Sequence, residues 1–171
     1  MADLDGRSFH RPTADNGGCR VQVLPAVTPS ADPQLPARPA QVTVLSARIL
    51  ILDDDHAIAE LLGEMLTLLG YSTVLCHSAQ VALEWLDRQE FNLIISDFRM
   101  PKMDGQEFYE QAVRKKPELA RRILFLSGDV VNEETQGFLR ATGNPHLTKP
   151  FRLALVEQTV AQVLQQSAVA R

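Results

Sequence analysis

From Arg48 onward the chain alternates between short apolar runs and longer stretches with helical periodicity. RILILD (48–53) is a continuous apolar run ending in acid, the pattern of a strand buried on both faces. Asp55 stands where a helix cap belongs, ahead of Ile58, Leu61, Leu62, Met65, Leu66 and Leu69 at helical spacing, with Gly70 closing the helix. YSTVLC (71–76) reads as the next strand, and Ser78 precedes a helix carrying Val81, Leu83, Trp85 and Leu86. FNLIISD (91–97) is a third strand, again apolar and again ending in acid. The loop FRMPKMDG (98–105) leads to a helix through Phe108, Tyr109, Ala112 and Val113 that Pro117 ends. RILFLS (122–127), a short helix around Thr135–Ala141, the brief strand PHLT (145–148) and a helix over Leu153–Gln166 complete the series.

Five strands alternating with five helices predict right-handed crossovers and an α/β fold, a doubly wound parallel sheet with helices on both faces. Strands 1, 3 and 4 are the most uniformly apolar and should be central, which suits the flavodoxin-like order 2-1-3-4-5. On such sheets ligands bind beyond the carboxyl ends of the strands.

Residues 1–47 have a different texture. They hold six of the ten prolines, and TPSADPQLPARPAQ (28–41) cannot sustain a helix or a central strand. A linker-like, disordered tail is expected over 1–47, a globular domain over 48–166, and a short tail over 167–171. Within the first tail CRVQVLP (19–25) alternates like a strand, but the sequence offers it no partner.

Charge narrows the possible partners. The first 47 residues carry four Arg and four Asp, leaving 13 basic and 17 acidic residues for the rest. An acidic domain without a basic stripe argues against direct nucleic-acid binding. No run approaches the ~18 apolar residues of a membrane span, and the N-terminus lacks a signal layout, so a cytoplasmic protein is expected. Cys19 and Cys76 stand far apart without metal-type spacing and read as free thiols.

The strand ends carry the candidate chemistry. Strand 1 ends in Asp53, Asp54 and Asp55, strand 3 in Asp97, strand 4 in Ser127-Gly128-Asp129, and strand 5 in Thr148-Lys149-Pro150. A parallel sheet sets these ends side by side. Clustered carboxylates repel and raise one another's pKa unless a cation neutralises them. An all-oxygen donor set favours Mg²⁺ over zinc. A lysine and a hydroxyl facing the acids supply a point charge and a donor for a phosphoryl group. Asp55 reads more simply as a helix cap, and Trp85 and Tyr109 as packing residues.

ILILDDD, IISDFRMPKMDG, LFLSG and LTKPF, in this order and spacing, resemble the response-regulator receiver domain, CheY-like in fold, over roughly residues 48–166. The resemblance implies a two-component phosphorelay: Asp97 as phosphoryl acceptor from the phosphohistidine of a histidine kinase or histidine phosphotransfer protein. It implies Mg²⁺ held by Asp53, Asp54, Asp97 and the backbone carbonyl of Arg99, with Lys149 and Ser127 contacting the phosphoryl group. Gly128 and Pro150 match the family's neighbouring positions, the latter after a bond that is typically cis. Ser127 replaces the frequent Thr, and His146 occupies the switch position that is often aromatic. Arg99 and Asp129, each two residues past a site residue, are expected to border the path of water to the acyl phosphate.

Only SAVAR follows Gln166, so output through contact with a downstream protein is expected, without a separate enzymatic domain. GGCRVQVLP (17–25) weakly resembles the closing strand of a histidine-kinase ATP-binding domain, which would make the chain the receiver of a hybrid kinase. Two other classes compete. One is a Mg²⁺-dependent aspartyl-phosphate phosphatase or phosphotransferase, which needs an acid two residues after its nucleophile, where this chain has Arg99. The other is a binding module that is never phosphorylated, which the complete set of acids, hydroxyl and lysine disfavours.

Overall fold

The structure, a computed structural model, describes residues 19–22, 47–128 and 132–169. In chain order the elements are β1 (Cys19–Gln22), β2 (Arg48–Leu52), α1 (His56–Leu68), β3 (Ser72–Cys76), α2 (Ala79–Arg88), β4 (Leu93–Asp97), α3 (Gly105–Lys115), a 3-10 turn (Pro117–Arg121), β5 (Ile123–Ser127), α4 (Glu133–Thr142), β6 (His146–Thr148) and α5 (Leu153–Val169). The sheet order is β1-β3-β2-β4-β5-β6. Its five parallel strands follow the order expected from the apolar runs, with β2 and β4 side by side at the centre.

The two faces of the sheet build two cores. Ile49 and Ile51 of β2 point to one face with Leu93, Ile95, Leu124 and Leu126, where α1 supplies Leu62 and Leu66 and α5 supplies Val156 and Val160. Leu50 and Leu52 point to the other with Ile94, Ile123 and Phe125, covered by Leu83 and Leu86 of α2 and Phe108 and Ala112 of α3. This two-sided burial is why the central strands read as uninterrupted apolar runs.

Local signals fix the helix starts. The Asp55 side chain accepts from the N–H groups of Ala57 and Ile58, that of Asp104 from Glu107, and that of Asn132 from Glu134. Ser78 occupies the cap position of α2 but makes no side-chain capping bond. Gly143, at φ 68°, closes α4 in the left-handed conformation.

Three features depart from the sequence reading. The strand-like residues 19–22 do have a partner: β1 pairs antiparallel with β3, so part of the expected tail belongs to the sheet. The kinase-strand reading of 17–25 thereby loses its basis at these residues, which complete this domain's own edge. The helix α5 runs to Val169, beyond the expected end at Gln166. Finally, Cys76 is disulfide-bonded rather than a free thiol. The chain's one other cysteine, Cys19, is its register partner on β1.

Candidate functional site

The carboxyl ends of β2, β4, β5 and β6 converge as a parallel sheet requires. Asp53 follows the last residue of β2 and is wholly buried, while Asp54 beside it is exposed. Asp97, the last residue of β4, is 7% exposed, so its carboxylate reaches solvent through a narrow opening. One oxygen from each of Asp53, Asp54 and Asp97 lies within 4.8 Å of the others. Lys149 closes the cluster from β6: its Nζ stands 2.9 Å from Asp53 Oδ2 and 3.0 Å from Asp97 Oδ2.

Backbone bonds hold these groups in register. The N–H of Asp55 donates to Asp53 Oδ1 at 2.9 Å and that of Arg99 to Asp97 Oδ1 at 3.4 Å. The Lys149 N–H donates to the Ser127 carbonyl at 2.8 Å, which ties the end of β5 to the lysine. Gly105 packs so closely on the loop after Asp97 that a Cβ there would lie 2.8 Å from the Cα of Phe98, and its N–H donates to the Phe98 carbonyl. Only glycine fits that approach.

Burial pushes the Asp53 carboxyl above the usual carboxylate range, against the lowering effect of Lys149. For Lys149, burial works to lower the pKa, but the hydrogen bonds and charges of Asp53 and Asp97 outweigh it and the net shift is upward. The lysine therefore stays protonated, and one ammonium faces three carboxylates. That surplus of negative charge, carried on oxygen donors alone, fits a hard divalent cation such as Mg²⁺.

Most of the expected site residues come together. Asp53, Asp54, Asp97 and Lys149 share the cluster, with Ser127 fully buried at the end of β5 and Gly128 exposed next to it. The Lys149–Pro150 bond is cis. Asp55 is the helix cap, and Tyr109 packs against Phe125 and Phe138. His146 is exposed at the start of β6. Arg99 is exposed, while Asp129 lies outside the described residues, as does any pairing between the two.

Two residues escaped the sequence reading. His77 Nδ1 donates to the Asp53 carbonyl at 3.0 Å, and His56 Nδ1 lies 3.3 Å from the Asp54 carbonyl. Their rings stack with centroids 3.7 Å apart, so the pair braces the backbone of the acidic loop from outside. Only their places, one past β3 and one opening α1, hinted at this.

Comparison with known proteins agrees with the geometry. The sequence profile of the response regulator receiver domain matches residues 49–161. The transcriptional regulatory protein GlrR of Escherichia coli K12 is 35% identical over 127 residues, 72% of this chain and 28% of that protein. The response regulator protein FleR of Pseudomonas aeruginosa is 32% identical over 118 residues, 69% of this chain and 24% of that protein. The chain thus spans about a quarter of the length of these relatives, which are regulators, and they lend the hybrid-kinase reading no support. Among solved structures, a CheY-like receiver domain protein from Methanospirillum hungatei superposes with a TM-score of 0.68 at 25% identity, covering 74% of this chain and 99% of that one. The chemotaxis protein CheY4 of Vibrio cholerae gives 0.59 at 27% identity, covering 71% and 98%.

Proposed function

Since the chain belongs to the response regulator receiver domain family, we propose that it takes a phosphoryl group from a histidine kinase or a histidine phosphotransfer protein onto Asp97. The observation that carries this reading is the position of Lys149 Nζ, within 3.0 Å of both the buried Asp53 and the acceptor Asp97. Asp97 is narrowly open to solvent, so one of its carboxylate oxygens can attack phosphorus in line while the P–N bond of the donor breaks. The carboxylate becomes an acyl phosphate, and the departing imidazole keeps or takes the proton it needs from water.

Asp53, Asp54, Asp97 and the Arg99 carbonyl would hold Mg²⁺. Bound there, the ion neutralises the carboxylates and polarises a phosphoryl oxygen. Lys149 contacts a further phosphoryl oxygen as a fixed positive charge. The Ser127 hydroxyl donates to the phosphoryl group after transfer. His146 takes the switch position with its imidazole outward, so a change at Ser127 reaches a partner-facing surface through β6. Output proceeds by contact with a downstream protein.

Intact-mass analysis after incubation with phosphoramidate and Mg²⁺ tests the reading. One added phosphoryl group is expected on the parent chain and none on Asp97→Asn. A chelator should abolish the reaction. Equal labelling of Asp97→Asn and the parent would overturn the assignment.

A further inference from the structure

Beside the acidic cluster lies a groove of about 540 Å³ between the loop after β4 and the start of α4. Asp54 of that cluster lines it, as do Phe98 and Arg99, the two residues that follow Asp97 in the chain. Its lining includes the apolar edges of Phe98, Met100 and Pro101. Among the described residues on it, the charged ones are Asp54, Asp104 and Glu134 against the single cation Arg99. Asp54 belongs to the acidic cluster, which leaves Asp104 and Glu134 as the groove's other carboxylates among the described residues.

These two differ in what else they do. Asp104 is the cap of α3, its Oδ1 accepting the Glu107 N–H at 2.9 Å. Glu134 is exposed in the first turn of α4, and its carboxylate has no hydrogen bond or ion pair among the described residues. Its charge suits the positive end of the helix. Glu133, one residue earlier, meets that need equally but does not line the groove.

We infer that Glu134, with Asp104, makes this groove discriminate among phosphodonors by charge, favouring phosphoramidates and slowing acyl phosphates. The inference rests on the acceptor role proposed for Asp97. At neutral pH phosphoramidate is a monoanion whose P–N bond breaks to release neutral ammonia. Asp97 and the donor together carry two negative charges, all of them on the acyl phosphate product. Acetyl phosphate is a dianion whose P–O bond breaks to release acetate. An anionic leaving group then gathers charge in the groove, beside the Glu134 carboxylate. Repulsion between like charges therefore weighs on the acyl donor both in approach and in departure.

The experiment measures phosphorylation rates of the full chain with acetyl phosphate and with phosphoramidate, both with Mg²⁺, and reads their ratio. Glu134→Gln should raise the acetyl phosphate to phosphoramidate ratio about threefold, and Glu134→Lys about tenfold. The gain should shrink towards none at about 1 M salt, where charges more than ~3 Å apart are screened. Glu133→Gln, with the same change of net charge and helix environment, should leave the ratio as in the parent. A variant that merely loosens α4 changes both rates alike and leaves the ratio fixed. An unchanged ratio in Glu134→Gln and Glu134→Lys, or an equal shift in Glu133→Gln, would overturn the inference while the acceptor reading stands. Absence of phosphorylation of the parent by either donor would remove the acceptor reading and this inference with it.

Discussion

Asp53 is the residue on which pH acts most directly. It is fully buried, and its carboxyl is shifted upward chiefly by burial, so it holds its proton to higher pH in the folded chain than in the unfolded one. A raised carboxyl contributes stability below its unfolded pKa, about 3.8, and loses that contribution as pH rises through the folded value. In chelator-containing buffer, Asp53→Asn should therefore melt higher than the parent at pH 7. The gap should narrow as pH falls and vanish near pH 4. A melting series from pH 4 to 8 checks this, and a gap independent of pH would contradict it. Mg²⁺ should raise the parent's midpoint by several degrees, as a ligand of the folded state alone does, and should do so less in Asp53→Asn. At this scale the sequence was legible where a residue ends an apolar run, as Asp53, Asp97 and Ser127 do. It was not legible for His56 and His77, whose role depends on where two backbone carbonyls point once the acidic loop has folded.

Among the elements, the loop between β4 and α3 is the least forgiving. A methyl group at Gly105 would press on the backbone of Phe98, which cannot yield as a flexible side chain can. Gly105→Ala should cost about 1–3 kcal/mol, seen as a lower urea midpoint, and should slow phosphorylation because Phe98 adjoins Asp97. The edge strand β1 makes a second case. It pairs with β3 over four residues, and the Cys76 carbonyl on β3 accepts the Asp53 N–H at 3.1 Å. A chain beginning at Ala47 should melt several degrees lower than the full chain, and reducing agent should lower the full chain's midpoint but not that of Cys76→Ala. An unchanged midpoint after truncation would show that the pairing contributes nothing to stability. Parallel strands and their order follow from apolar runs and crossover rules, so the sequence sufficed for them. A four-residue antiparallel strand chooses its partner through tertiary contacts, which no local pattern in CRVQVLP encodes.

Across the whole molecule, the parallel strands aim every chemical group at one end of the sheet and leave packing to the two faces. The sheet's two borders follow a different logic. On one side β6 ends the sheet with three residues, two of them exposed, too short to recruit another strand. On the other side β3 is five residues long, and Val74, Leu75 and Cys76 are nearly or wholly buried. Without β1, its row of backbone donors and acceptors would lie open along an apolar strand, which is the kind of template on which chains associate edge to edge. The short N-terminal strand therefore serves as a barrier against self-association, and its removal should be felt first as concentration-dependent aggregation on storage or heating.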